Sequence, residues 1–170
     1  MIETERLIAR PLVDEDFAAL HGLTSDPAVM RFVGDLRPYT AAQTREFIAE
    51  AQASYAEHGF GAWAILDKAT GELCGFGGLE MLPERKIPEV AYIFAPAYWG
   101  RGLATEFAAA VLEYGFRTLR LPEIGASFDP DNHPSMRVAS KLGLSFSYEG
   151  VDEFNLPTIY YAMPNPFLGE

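Results

Sequence analysis

Residues Glu89 to Leu112 read EVAYIFAPAYWGRGLATEFAAAVL, and this stretch decides the architecture. Its first six residues alternate as a strand does, with Glu89, Ala91 and Ile93 on one side and Val90, Tyr92 and Phe94 on the other. From Gly102 the period changes: Ala104, Phe107, Ala108, Val111 and Leu112 form the stripe of a helix facing a core. Ile124 to Phe128 returns to strand character, so residues 89–128 make a strand–helix–strand unit. Such a unit implies parallel pairing and a right-handed crossover. At its centre stand two glycines, Gly100 and Gly102, immediately before the helix. They let the backbone approach a ligand closely, and the first free amides of the helix point outward. With the helix dipole and the charge of Arg101, this is a place for a pyrophosphate. A tight strand-to-helix turn with no ligand accounts for the same glycines.

Working outward, ERLIARPL (residues 5–12) reads as a short strand. Asp14 is placed as an N-cap for a helix whose apolar face is Phe17, Leu20 and Leu23. A polar turn at Ser25, Asp26 and Pro27 precedes the apolar-basic stretch Val29 to Val33. Thr40 and Gln43 fit a capping box opening a second helix with Phe47, Ile48, Ala51 and Tyr55 inward. Phe60 to Leu66 and Glu72 to Leu79 flank a turn at Asp67 to Gly71, a hairpin, and a loop from Pro83 to Pro88 follows. Beyond the central unit, Pro134 suits the first turn of a helix with Gly143 just past its end. Strands near 145–150 and 157–163 finish a chain that forms one domain over residues 1–170. The fold class is α+β, with a mixed, mostly antiparallel central sheet flanked by helices.

Composition narrows the functional classes. Among 170 residues, 24 acidic side chains against 13 Lys and Arg give a formal charge of −11. That balance disfavours a nucleic-acid partner, whose phosphates call for basic residues, and is compatible with a cationic acceptor. Cys74 is the single cysteine, so no internal disulfide forms, and no His or Cys pair has metal-ligand spacing. No secretory pattern opens the chain, and no apolar run approaches the roughly 20 residues a membrane helix needs. The expectation is a cytoplasmic protein with no metal and no membrane partner.

YIFAPAYWGRGLATE (residues 92–106) is followed by DPDNHPSMRVASKLGL (residues 129–144). Together these segments resemble the acetyl-CoA-binding motifs of the GNAT acetyltransferases, in the branch similar to the RimJ/RimL N-terminal acetyltransferases of ribosomal proteins. The resemblance extends to TERLIARPL (4–12), DPAVMRFVG (26–34) and FGAWAILDKATGELCGFGGL (60–79), and so implies the GNAT fold over nearly the whole chain. It implies acetyl-CoA as co-substrate. Trp99, Gly100, Arg101, Gly102, Leu103, Ala104 and Thr105 would hold the pyrophosphate, chiefly through backbone amides. Ile93, Phe94 and Ala95 would offer the strand edge that pairs with pantetheine, and Asn132 would contact the same arm. Ser135 falls near the thioester. Two positions depart from the wider superfamily: Ala97 stands where Gln or Arg is common, and Ala139 where many members carry a tyrosine acid.

The implied reaction is attack of a primary amine on the thioester, with both substrates bound, so positioning and removal of one ammonium proton dominate. The acceptor is a peptide or protein N-terminus or a small amine, and a homodimer is compatible with the sequence. Glu89, on the strand beside the cofactor loop, is the candidate base, and Ser135 the candidate acid at the leaving sulfur. A solvated strand carboxylate and a helix-supporting hydroxyl are the plain alternatives. Asp129, His133 and Ser135 lie too close along one turn to line up as a hydrolase triad. Met30, Phe32 and Trp63 are candidate acceptor-pocket residues, with core packing the alternative for each. A non-catalytic acyl-CoA-binding module is the rival reading, favoured by Ala139.

Overall fold

A computed structural model describes residues 1–81 and 86–169. The expected Pro83–Pro88 loop therefore falls partly outside the described residues. The strands are β1 (Ile2–Glu3), β2 (Leu7–Pro11), β3 (Ala62–Asp67), β4 (Leu73–Glu80), β5 (Glu89–Phe94), β6 (Glu123–Phe128), β7 (Ser145–Val151) and β8 (Pro157–Pro164). The helices are α1 (Phe17–Thr24), α2 (Pro27–Met30), α3 (Ala41–His58), α4 (Leu103–Glu113) and α5 (His133–Lys141). The sheet runs β1-β2-β3-β4-β5-β6-β8-β7, and every neighbouring pair is antiparallel except β5–β6.

Alternation along the strands separates two cores. Trp63 and Ile65 of β3, Leu79 of β4 and Val90 of β5 face α4, packing on Phe107, Val111 and Phe116. Ala62, Ala64 and Phe76 face the other way, against Leu20, Met30 and Ile48 of the first three helices. Small residues let β4 lie close to β5. A Cβ on Gly77 would sit 2.2 Å from the Ala91 carbonyl oxygen, and its φ of +152° is one that side-chain-bearing residues rarely adopt.

Local signals hold at most helix ends. The Thr40 hydroxyl accepts from the Gln43 amide, and the Gln43 side chain accepts from the Thr40 amide, completing the capping box. Gly59, left-handed at φ +75°, closes the same helix. Asp14 is a correction. Residues Asp14–Asp16 form a 3₁₀ turn ahead of α1, and the Asp14 carboxylate accepts from Gln52 Nε2 at 3.1 Å without capping the helix. Asp16 is the buried one, held by Arg10 Nη1 and Nη2 at 2.7 and 2.8 Å and by the Val13 amide. Burial pushes its carboxyl up, but these donors outweigh that and hold it below its ordinary range.

The feature that makes a site is a separation. Strands β5 and β6 pair at one position, Glu89 opposite Gly125, with the Gly125 amide on the Pro88 carbonyl at 2.8 Å. Beyond Glu89 the two strands have no further paired residues, and a cleft opens between them.

Candidate active site

The loop at the end of β5 turns through a 3₁₀ segment, Pro96–Tyr98, and enters α4 over Gly100 (φ +70°) and Gly102 (φ +76°). Gly102 is the N-cap of α4 and brings no side-chain cap, so the first-turn amides remain available to an anion. Arg6 fixes this loop from outside the unit. Its Nη1 donates to the Arg101 carbonyl at 2.9 Å and its Nε to Glu106 at 2.7 Å. The Thr4 hydroxyl and the Arg6 amide donate to the other Glu106 oxygen at 2.6 and 2.8 Å. Partial burial raises the Glu106 carboxyl, and these hydrogen bonds overcome it and hold it below its ordinary value. The Thr4–Arg6 segment thus acts as a brace for the α4 N-terminus.

One cavity of about 980 Å³ joins this loop to the other face of the sheet. Gly100, Gly102, Leu103, Ala104 and Thr105 line it, as do Ile93, Phe94, Trp99, Asn132 and Ser135. Asn132 caps α5, its Oδ1 accepting from the Ser135 amide at 3.4 Å, while its Nδ2 donates no hydrogen bond among the described residues. Tyr92 crosses the cleft and its hydroxyl donates to the Ser135 carbonyl at 2.8 Å. Burial pushes this phenol well above its ordinary pKa, which keeps it neutral.

Glu89 lies on the opposite face of β5, 4% exposed, and accepts a hydrogen bond from the Ser127 hydroxyl of β6 at 2.6 Å. It lines the cavity together with Phe32, Tyr39 and Glu80. Four expected positions sit elsewhere. The Ala95 amide is taken by the Cys74 carbonyl at 2.9 Å, which removes it as an edge for a ligand. Arg101 is exposed, its guanidinium 5.2 Å from the Tyr98 ring centre. Met30 and Trp63 are both in the core, with Trp63 fully buried against Tyr114. Neither lines the cavity, because Trp63 points to the α4 face while Met30 packs behind Phe76 and Leu20. Trp99 Nε1 donates to the Phe94 carbonyl at 2.7 Å, so Trp99 holds the strand end while standing 53% exposed.

No local pattern in the sequence marks Glu80. Burial, then the charges of Glu89, Glu153 and Glu50, push its carboxyl up to about 7. The folded protein holds this proton more tightly than an unfolded chain titrating near 4.5. Stability therefore falls as pH rises from about 4.5 through about 7. Glu80→Gln is expected to melt above wild type near pH 8 and alongside it near pH 4; an equal offset at both would contradict the assignment.

The elements that meet here (a glycine-entered helix beside parted parallel strands) are those of an acetyltransferase. Residues 6–145 match the family model described as Acetyltransferase (GNAT) domain, and the chain belongs to the GNAT acetyltransferases. It is 35% identical over 161 residues to the uncharacterized protein YkkB of Bacillus subtilis (strain 168), covering 93% of this chain and 92% of that one. To the spermidine N(1)-acetyltransferase of Escherichia coli (strain K12) it is 30% identical over 148 residues, 85% of this chain and 76% of the relative. The crystal structure of a GNAT-family acetyltransferase from Bacillus anthracis superposes with a TM-score of 0.82 at 28% identity, covering 96% of this chain and 98% of that one.

Proposed function

We propose that this acetyltransferase moves the acetyl group of acetyl-CoA to a primary amine by direct attack, with both substrates bound in the one cavity. The observation that carries this is the continuity of the cavity through the β5–β6 cleft. The Gly100–Thr105 loop and Asn132 line it on the α4–α5 side, and Glu89 lines it on the α3 side. The residues fit the co-substrate: two left-handed glycines, an uncapped helix start and a parted strand edge suit a pyrophosphate followed by an extended amide arm. Acetyl-CoA supplies an activated acyl group whose thiolate leaves readily near neutral pH. The protein's part is to orient the amine and take its proton, and Glu89 is the base. Ser135 stands at the leaving sulfur and Asn132 holds the pantetheine arm.

For the acceptor, a small cationic amine is favoured over a peptide or protein N-terminus of the RimJ/RimL kind. The spermidine acetyltransferase named above supports this, as do Glu50, Glu80, Glu89 and Glu153 along the acceptor side. Thiol release from acetyl-CoA against spermidine, short diamines and basic peptides tests it. Release with the amines and little with the peptides is expected. Coenzyme A binding without acceptor-dependent release from any of them would favour a non-catalytic module.

Asn132→Ala is expected to lower kcat/KM for acetyl-CoA by about tenfold, since a hydrogen bond left unmade in the site costs roughly 1–3 kcal/mol. Losing the cap of α5 should also cost about 1 kcal/mol of stability. Steady-state rates and a thermal melt on the variant check both, and an unchanged rate would remove Asn132 from the site.

A further inference from the structure

Glu80 ends β4 directly opposite Glu89 in the antiparallel ladder, so both side chains project from the face turned toward α3. Both line the acceptor half of the cavity. Residues so opposed hold their Cβ atoms about 4.5–5.5 Å apart, which lets one ammonium ion touch both carboxyls. Two like charges at that spacing oppose one another's ionisation. The groups that bear on Glu80 from neighbouring elements have the same sign: Glu50 of α3 and Glu153 of the β7–β8 connection. Tyr39 also lies near, a phenol pushed up to about 12 by burial and then by Glu80, Asp35, Glu50 and Glu153, and so uncharged. The basic residues that line the cavity, Arg31, Arg137 and Lys141, come from the end of α2 and from α5. Glu89 has the Ser127 hydroxyl to stabilise its charge.

We infer that Glu80 is a specificity-determining residue of the acceptor end: opposed to Glu89, it makes the cavity take its amine as the ammonium ion and give up a proton in exchange. This deepens, and rests on, the assignment of the cavity as the acceptor site. Where the pair holds a proton before the amine binds, that proton leaves to solvent when R–NH₃⁺ enters. As the N–C bond forms and the C–S bond breaks, the nitrogen loses two protons. One ends on the coenzyme A sulfur and the other returns to the carboxyl pair. The amide product is uncharged and the pair is again protonated, so the charge attraction that held the substrate no longer holds the product.

The test is a calorimetric titration of spermidine into coenzyme A-loaded protein at pH 7, in two buffers of different ionisation enthalpy. Wild type is expected to release a measurable fraction of a proton per spermidine, drawn from the Glu80 carboxyls still protonated there. Glu80→Gln should bring release near zero and weaken binding about tenfold, and Glu80→Asp should restore much of both. Glu123→Gln, outside the cavity, should behave as wild type. Binding without proton release in wild type, undiminished release in Glu80→Gln, or no spermidine binding would each overturn the inference. Thiol-release assays separate this from failure of the transfer reaction. Amine-dependent release without proton exchange removes Glu80's role alone, whereas no release with any amine removes the acetyl-transfer assignment.

Discussion

Glu89→Gln is expected to lower kcat by about 10²–10⁴-fold, the usual worth of a positioned base, while leaving coenzyme A affinity near wild type. Glutamine keeps an oxygen to accept from the Ser127 hydroxyl, so the buried contact between β5 and β6 survives. What it cannot do is take the ammonium proton. The acidic limb of the pH–rate profile, where protonation of the base shuts off turnover, should therefore shift or vanish in the variant. Ser135→Ala should cost much less, because a thiolate needs little help to leave. Steady-state rates across pH, paired with calorimetry of coenzyme A, check the prediction. Wild-type kcat with an unshifted profile would mean that solvent or another group removes the proton.

The second large effect belongs to the loop. Gly102→Val should weaken coenzyme A binding about 10–100-fold, because a β-branched residue at φ +76° costs about 1–3 kcal/mol, which the free loop sheds by leaving that conformation and binding must restore. Crowding within the protein is not the reason. The atom nearest a Cβ there is an Arg6 guanidinium nitrogen at 3.7 Å, an ordinary contact. The cost arises from backbone conformation and from a side chain placed where the pyrophosphate would approach. Arg101→Ala should matter far less, since that side chain lies over Tyr98 and does not line the cavity. Calorimetry on the two variants decides, and equal, negligible effects would make the loop a simple turn.

Much of this was legible along the chain because it depends on neighbours in sequence. The alternation of Glu89–Phe94, the box at Thr40 and Gln43, and Pro134 with Gly143 around α5 are short-range patterns, and each appears in the structure. The Gly100–Gly102 entry to α4 is of the same kind. What escaped depends on partners far away in sequence. Asp14 looks fit to cap α1 on sequence alone, but the fork of Arg10 draws Asp16 into the structure and leaves Asp14 outside. Trp63 lies in the run read as a strand, but which face of β3 meets α4 is decided by the packing of Phe107 and Phe116. Glu80 becomes visible only through register, since a one-residue slip between β4 and β5 would turn it away from Glu89. Tyr92 needs the crossing of β5 and α5 before its hydroxyl can be seen to reach Ser135.

Initial-rate kinetics with acetyl-CoA and spermidine varied together test the central claim most directly. If the two substrates meet in one cavity and the amine attacks the thioester itself, double-reciprocal lines converge, and labelled acetyl appears on the amine without first residing on the protein. Parallel lines, with acetyl trapped on a side chain before the amine is added, would contradict direct transfer.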